Sequence, residues 1–133
     1  MVQTAAMKKL TALSLALPLA LSGCISYHIQ DDGITRAQIG ETVRVDGPSV
    51  TPLKLLEDSR CPKAAQCVWA GQVRISATVS WGSTVSVQEL TLGKPVPVAD
   101  GQLTLVEATP DRRADTTLYP EDYRFGFTFA GGL

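Results

Sequence analysis

The sequence predicts an all-β domain, an antiparallel β-sandwich or small barrel of about six or seven strands with one disulfide loop. Three observations carry that expectation. From Ile39 onward apolar residues recur with a period of two, which puts one row inward and one outward. β-branched and aromatic residues dominate those runs, as pleated surfaces prefer. Turn residues separate the runs, and no long stretch after the first segment carries a helical period. A chain of 133 residues suits one domain of this kind.

The elements follow in order. Val43 and Val45 alternate with Thr42 and Arg44, and Asp46-Gly47-Pro48 ends that run. Leu53 and Leu55 flank Lys54 and read as an inward pair. Val73, Ile75, Ala77, Val79 and Trp81 alternate with polar residues and give the clearest strand. Gly82-Ser83 turns the chain into a fourth run. There the phase slips, with Val85 and Val87 at odd positions and Leu90 and Leu92 at even ones. A bulge near Gln88-Glu89 would restore the facing. Asp100-Gly101 predicts a hairpin between Val96/Val98 and Leu103/Leu105. Pro95 and Pro97 place the first of these at a sheet edge. Tyr123, Phe125, Phe127 and Phe129 form the last inward row.

The first segment reads as an address. Lys8 and Lys9 precede an apolar stretch, Leu10 to Leu21, that is too short to span a bilayer needing about 20 residues. Met7 places the charges at the amino terminus better than Met1 does. Leu21-Ser22-Gly23-Cys24 resembles the lipobox of bacterial lipoproteins. Small residues before the cysteine suit an extended chain in a peptidase cleft, and the thiol is the nucleophile that takes a diacylglycerol. The resemblance implies a signal peptide over 1–23, acylation of Cys24, and a membrane anchor through that N-terminal lipid. Two or three acyl chains hold stably where one does not. Ile25 and Ser26 follow the cysteine where an inner-membrane protein of this family carries an aspartate. The expected place is therefore the cell envelope, at the outer membrane facing the periplasm. Residues 24–38 then form the lipidated cysteine and a tether, with His28 in it, and residues 39–133 the β-sandwich domain.

With Cys24 acylated, Cys61 and Cys67 remain, and in an oxidising compartment that parity reads as one disulfide. Around them runs Asp58-Ser59-Arg60-Cys61-Pro62, then Cys67-Val68-Trp69-Ala70-Gly71. This DSRCPxxxxCxWAG string resembles a segment of small bacterial lipoproteins and secreted proteins of uncharacterised function. The resemblance implies a disulfide-stapled β domain and no reaction. Pro62 suits a tight turn, Trp69 a cover over the disulfide, Gly71 a turn into the next strand. Asp58 and Arg60 suit either a pair across the loop mouth or a cap for its amide groups. As a surface, Arg60, Lys63, Gln66 and Trp69 form the candidate binding patch. A dithiol redox site fits poorly, because such sites space their cysteines two apart at a helix terminus.

Other chemistries find little support. The formal charge is −1, and −3 once residues 1–23 are removed, so no basic excess points to nucleic acid. A single histidine and two paired thiols leave no zinc set, and no metal or cofactor is expected. The carboxylates Glu57, Asp58, Glu107, Glu121 and Asp122 sit at strand ends or loops without a spacing that joins them. Arg112, Arg113 and Arg124 gather near Tyr119 and Tyr123 as a small basic spot. The expected function is a non-enzymatic, membrane-anchored binding or structural module with an envelope protein or glycan partner. An inhibitor of an envelope-attacking hydrolase such as lysozyme is one alternative, and a glycan-acting enzyme another.

Overall fold

The computed structural model describes residues 31–132. The expected signal peptide and the expected acylation site Cys24 lie outside them. The chain is all-β, with eight strands among the described residues: β1 (Thr35–Ala37), β2 (Val43–Arg44), β3 (Ser49–Asp58), β4 (Val73–Trp81), β5 (Thr84–Thr91), β6 (Val96–Val98), β7 (Gly101–Thr109) and β8 (Arg124–Ala130). They form two antiparallel four-stranded sheets, β1-β8-β7-β6 and β2-β3-β4-β5. Among the described residues no helix is long and apolar enough to cross a membrane.

One apolar cluster joins the two sheets. Val50, Val73, Ile75, Ala77 and Leu90 come from one, and Ala37, Leu103, Leu105, Phe125 and Phe127 from the other, all fully buried. The alternation in β4 and β8 supplies Val73, Ile75, Ala77, Val79, Phe125 and Phe127 of this core, as the periodicity predicts. Phe129 and Trp81 meet at one end, ring centroids 6.0 Å apart.

Four details depart from the sequence reading. The tether was expected to run through residue 38, but Thr35–Ala37 pairs with Phe127–Phe125 of β8 and buries Ala37 completely. Three residues are too few to show a period, so only their partner strand reveals them. Second, β3 carries register shifts between Pro52 and Lys54 and between Leu55 and Glu57. The first turns Lys54 outward and Leu55 inward, leaving Leu53 exposed, so Leu53 and Leu55 are not one inward pair. The second turns Asp58 to the inner side, level with buried Val73. Third, β5 has no bulge. Its register with β4 is continuous from Trp81↔Thr84 to Arg74↔Thr91, so Val85 and Val87 face solvent. Last, the hairpin after β6 turns on Ala99-Asp100, with Ala99 at φ +53°, and Gly101 already belongs to β7.

Candidate functional site: the cysteine loop and its anchorage

The loop between β3 and β4 begins where the second β3 shift aims Asp58 inward. A carboxylate there must be paired, because burying an uncompensated charge costs several kcal/mol. Its side chain is only 6% exposed. Arg60 supplies a fork: Nε donates to Asp58 Oδ1 at 2.9 Å and Nη2 to Oδ2 at 2.9 Å. Tyr123, just before β8 of the other sheet, donates its hydroxyl to Asp58 Oδ2 at 2.7 Å. Burial pushes the Asp58 carboxyl up, but the Arg60 and Tyr123 hydrogen bonds and the Arg60 charge together outweigh it and hold it below the usual carboxylate range. The same burial, with the hydrogen bond to Asp58, pushes the Tyr123 hydroxyl up to about 12.

Arg60 has further work. Nη1 donates to the carbonyl of Ala108 at 2.8 Å and Nη2 to that of Pro110 at 3.0 Å. Arg112 returns the favour, its Nη1 donating to the carbonyl of Arg60 at 2.9 Å. The Lys63 amide donates to the carbonyl of Arg112 at 2.8 Å. The loop is thus laced to the segment that follows β7.

The rest of the motif has equally local duties. Cys61 and Cys67 form a disulfide, Cα–Cα 5.9 Å. The Ser59 amide donates to the carbonyl of Gln72 at 2.9 Å, and the Gln72 amide to Ser59 Oγ at 3.0 Å. This draws the two legs of the loop so close that a Cβ on Gly71 would collide with the Ser59 carbonyl. Gly71 is glycine for want of space. Trp69 donates Nε1–H to the same Ser59 carbonyl at 3.3 Å and remains 60% exposed. Its indole is therefore oriented but largely uncovered.

The structure divides the candidate patch. The guanidinium of Arg60 is spent on Asp58 and two carbonyls, so it does not belong to an open binding surface. Lys63 is exposed and pairs with Asp111 at 2.7 Å, and Gln66 is exposed. Trp69 and the wholly exposed Val68 form an exposed apolar pair. The basic spot near the tyrosines does not assemble either: Tyr123 is buried, Arg112 is bonded to loop carbonyls, and Arg113 faces Asp115 at 3.5 Å. Tyr123 was legible as an inward strand residue, but nothing in its spacing pointed to Asp58, 65 positions away.

Of the other carboxylates, Glu57 and Glu107 are paired at separate places, Asp122 accepts from the Tyr119 amide at 2.8 Å, and Glu121 is exposed. Glu57 takes hydrogen bonds from Gln72 at 2.7 Å and Arg74 at 2.9 Å, which hold its carboxyl below the usual range. Arg74 also reaches Glu89, so a charged row crosses the outer face of β3, β4 and β5. Glu107 takes a fork from Arg36 at 2.9 and 2.9 Å, and Arg36 continues to Asp32 at 2.6 Å. Compared with models of protein families, with curated proteins and with solved structures, the chain matches none of them.

Proposed function

We propose that this chain is an acyl-anchored envelope lipoprotein whose β body is a non-enzymatic binding or structural module facing the periplasm. The observation that supports this reading best is the cysteine pairing. The disulfide uses Cys61 and Cys67, and of the chain's three cysteines the remaining one is Cys24, at the end of the basic and apolar leader. Acyl chains would confine the body to a surface and raise its effective concentration toward envelope partners. The low carboxyl pKa of Glu57 and Asp58 suits ion pairing better than proton donation near neutral pH. Mass spectrometry of the membrane-extracted protein tests the anchor. The expected N-terminal residue is Cys24 carrying a thioether diacylglycerol, and Cys24→Ala abolishes incorporation of labelled palmitate. An unmodified Cys24 thiol refutes the reading.

A second reading, inhibition of a hydrolase that attacks the envelope, draws on the exposed apolar pair of the loop. Val68 and Trp69 are exposed side by side, and the Ser59 carbonyl fixes the indole. A pre-oriented, exposed aromatic is the kind of anchor that fills a partner's cleft. Lysozyme titrated against the protein should bind at micromolar concentration and lose that binding in Trp69→Ala. No binding by the wild type ends this reading.

A further inference from the structure

The two sheets have four end strands among the described residues, and three of them are blunted; β3 is also unpaired on one side beyond Val50, but Pro52, Lys54 and two register shifts interrupt it. β1 and β6 are three residues long and β2 is two. β6 carries Pro97 and follows Pro95. Short strands and prolines are the ordinary means of keeping edges from pairing. β5 has neither. It runs eight residues, Thr84–Thr91, without proline or lysine. An exposed backbone ladder of that length is a template for another strand.

The turn before β5 fixes which of its groups are free. Gly82-Ser83 closes on the pair Trp81↔Thr84, with Gly82 at φ +57°. A two-residue hairpin closes on a hydrogen-bonded pair, so Thr84, Ser86, Gln88 and Leu90 spend their amides and carbonyls on β4. The Leu92 amide, donating to the carbonyl of Val73 at 2.9 Å, keeps that parity. Val85, Val87, Glu89 and Thr91 therefore aim their backbone groups away from the sheet. Val85 and Val87 are also 67% and 65% exposed on its outer face.

We propose that β5 pairs antiparallel with β5 of a second copy of this chain, about a two-fold axis at Ser86. The strand is self-complementary in that register. Val85 lies opposite Val87 of the copy, twice, giving four contiguous valines on one face. Thr84 lies opposite Gln88 and Glu89 opposite Ser83, so polar residues meet polar ones. The neighbouring registers are worse matched: an axis at Val85 sets Val87 against Ser83, an axis at Val87 sets Glu89 against Val85, and an axis at Gln88 sets it against Val87. In the Ser86 register the two Glu89 residues stand about 20 Å apart along the strands and do not repel at close range. Each also keeps Arg74 of its own sheet.

Cysteine crosslinking of the purified full chain tests the register. Ser86 falls at a non-hydrogen-bonded pair, where Cα atoms lie about 4.5 Å apart, within disulfide reach. Under mild oxidation Ser86→Cys should become mostly covalent dimer, with peptide mapping showing the 86–86 link and Cys61–Cys67 intact. Gln88→Cys places its sulfurs on Cα atoms about 14 Å apart and should stay uncrosslinked. Adding Val87→Lys to Ser86→Cys should cut the dimer yield several-fold. Native mass spectrometry of the wild type, which needs no substitution, should show the dimer at tens of micromolar. A monomeric wild type overturns the proposal, and that outcome is also the one expected if the edge serves a strand from a different protein. Equal crosslinking at positions 86 and 88 overturns it too. Neither result bears on the acylation of Cys24, which the mass of the N-terminal peptide decides by itself.

Discussion

Replacing Arg60 by alanine separates an anchoring role from a binding one. The change leaves the Asp58 carboxylate, 6% exposed, with Tyr123 as its one remaining side-chain donor. It also strips the carbonyls of Ala108 and Pro110 of their donor. Removing one member of a buried ion pair costs about 3–5 kcal/mol. Arg60 is 16% exposed, so water partly reaches the vacated space and the lower end applies, about 3 kcal/mol. Against a total stability of about 5–15 kcal/mol that is a large fraction. Urea unfolding with the disulfide intact, followed by tryptophan fluorescence and circular dichroism, should shift its midpoint down by about 2 M at an m-value of about 1.5 kcal/mol/M. Lys63→Ala, at an exposed pair with Asp111, should cost less than about 0.5 kcal/mol. The pH dependence gives a second handle. In the wild type the Asp58 pKa is lowered on folding, so its contribution is complete above the unfolded value near 4 and is lost as pH falls through the folded one. In the variant burial acts without its counterweight, and protonation relieves the orphaned charge. The two stabilities should converge in acid. A loss under about 1 kcal/mol at pH 7, or a gap unchanged from pH 7 to pH 3, refutes the reasoning.

Three further outcomes follow from the same geometry. Tyr123→Phe should cost about 1.5 kcal/mol at pH 7, the worth of a hydrogen bond to a charged group. The wild type should lose stability as pH rises from about 10 toward 12, because the folded hydroxyl resists ionisation, and the phenylalanine variant should lack that phase; alkaline unfolding curves check both. Gly71→Ala drives a methyl into the Ser59 carbonyl and should cost about 3 kcal/mol in the same urea assay, opening the Ser59–Gln72 closure. Ala99→Gly should stabilise by about 1 kcal/mol, measurable as a raised thermal midpoint, because Ala99 stands at φ +53° in a turn that glycine enters freely.

What the sequence revealed and what it hid divide along a physical line. β4 and β8 are covered on one face along nearly their whole length, so burial imprints a strict period of two, from Val73 to Val79 and from Tyr123 to Phe127. β5 is an edge strand that the opposite sheet covers mainly at its Leu90 end. Its first half has no buried side to imprint, so valines point outward and Thr84, Ser86 and Gln88 point inward. A bulge was the natural explanation of that slip only on the assumption that apolar means inside. The shifts in β3 leave no composition mark at all. Pro52 looks like a misfit for an inner strand, yet β2 pairs only as far as Val50, so the backbone beyond it on that side has no ladder to break. β1 is legible only through β8. The site shows the same division: the Cys61–Cys67 pairing follows from parity, whereas the Tyr123–Asp58 contact is set by a register shift that no spacing rule contains.

That contact also explains why the most conspicuous string in the sequence is a poor guide to recognition. A loop of 14 residues between β3 and β4 must be held against its own chain entropy, which grows only slowly with length but is never zero. The motif does this from within. Asp58 and Arg60 fasten its entry to both sheets, Ser59 and Gln72 draw its legs together, Gly71 leaves room for them, and the disulfide closes its far half at a gain of roughly 2 kcal/mol. Residues so committed cannot meet a partner without undoing the fold. Surface free for recognition must then lie where side chains and backbone carry no internal duty. Among the described residues the Val85-Val87 edge fits that description, at positions the motif does not mark, while Val68 and Trp69 are exposed within the motif even though the indole N–H is spent on Ser59.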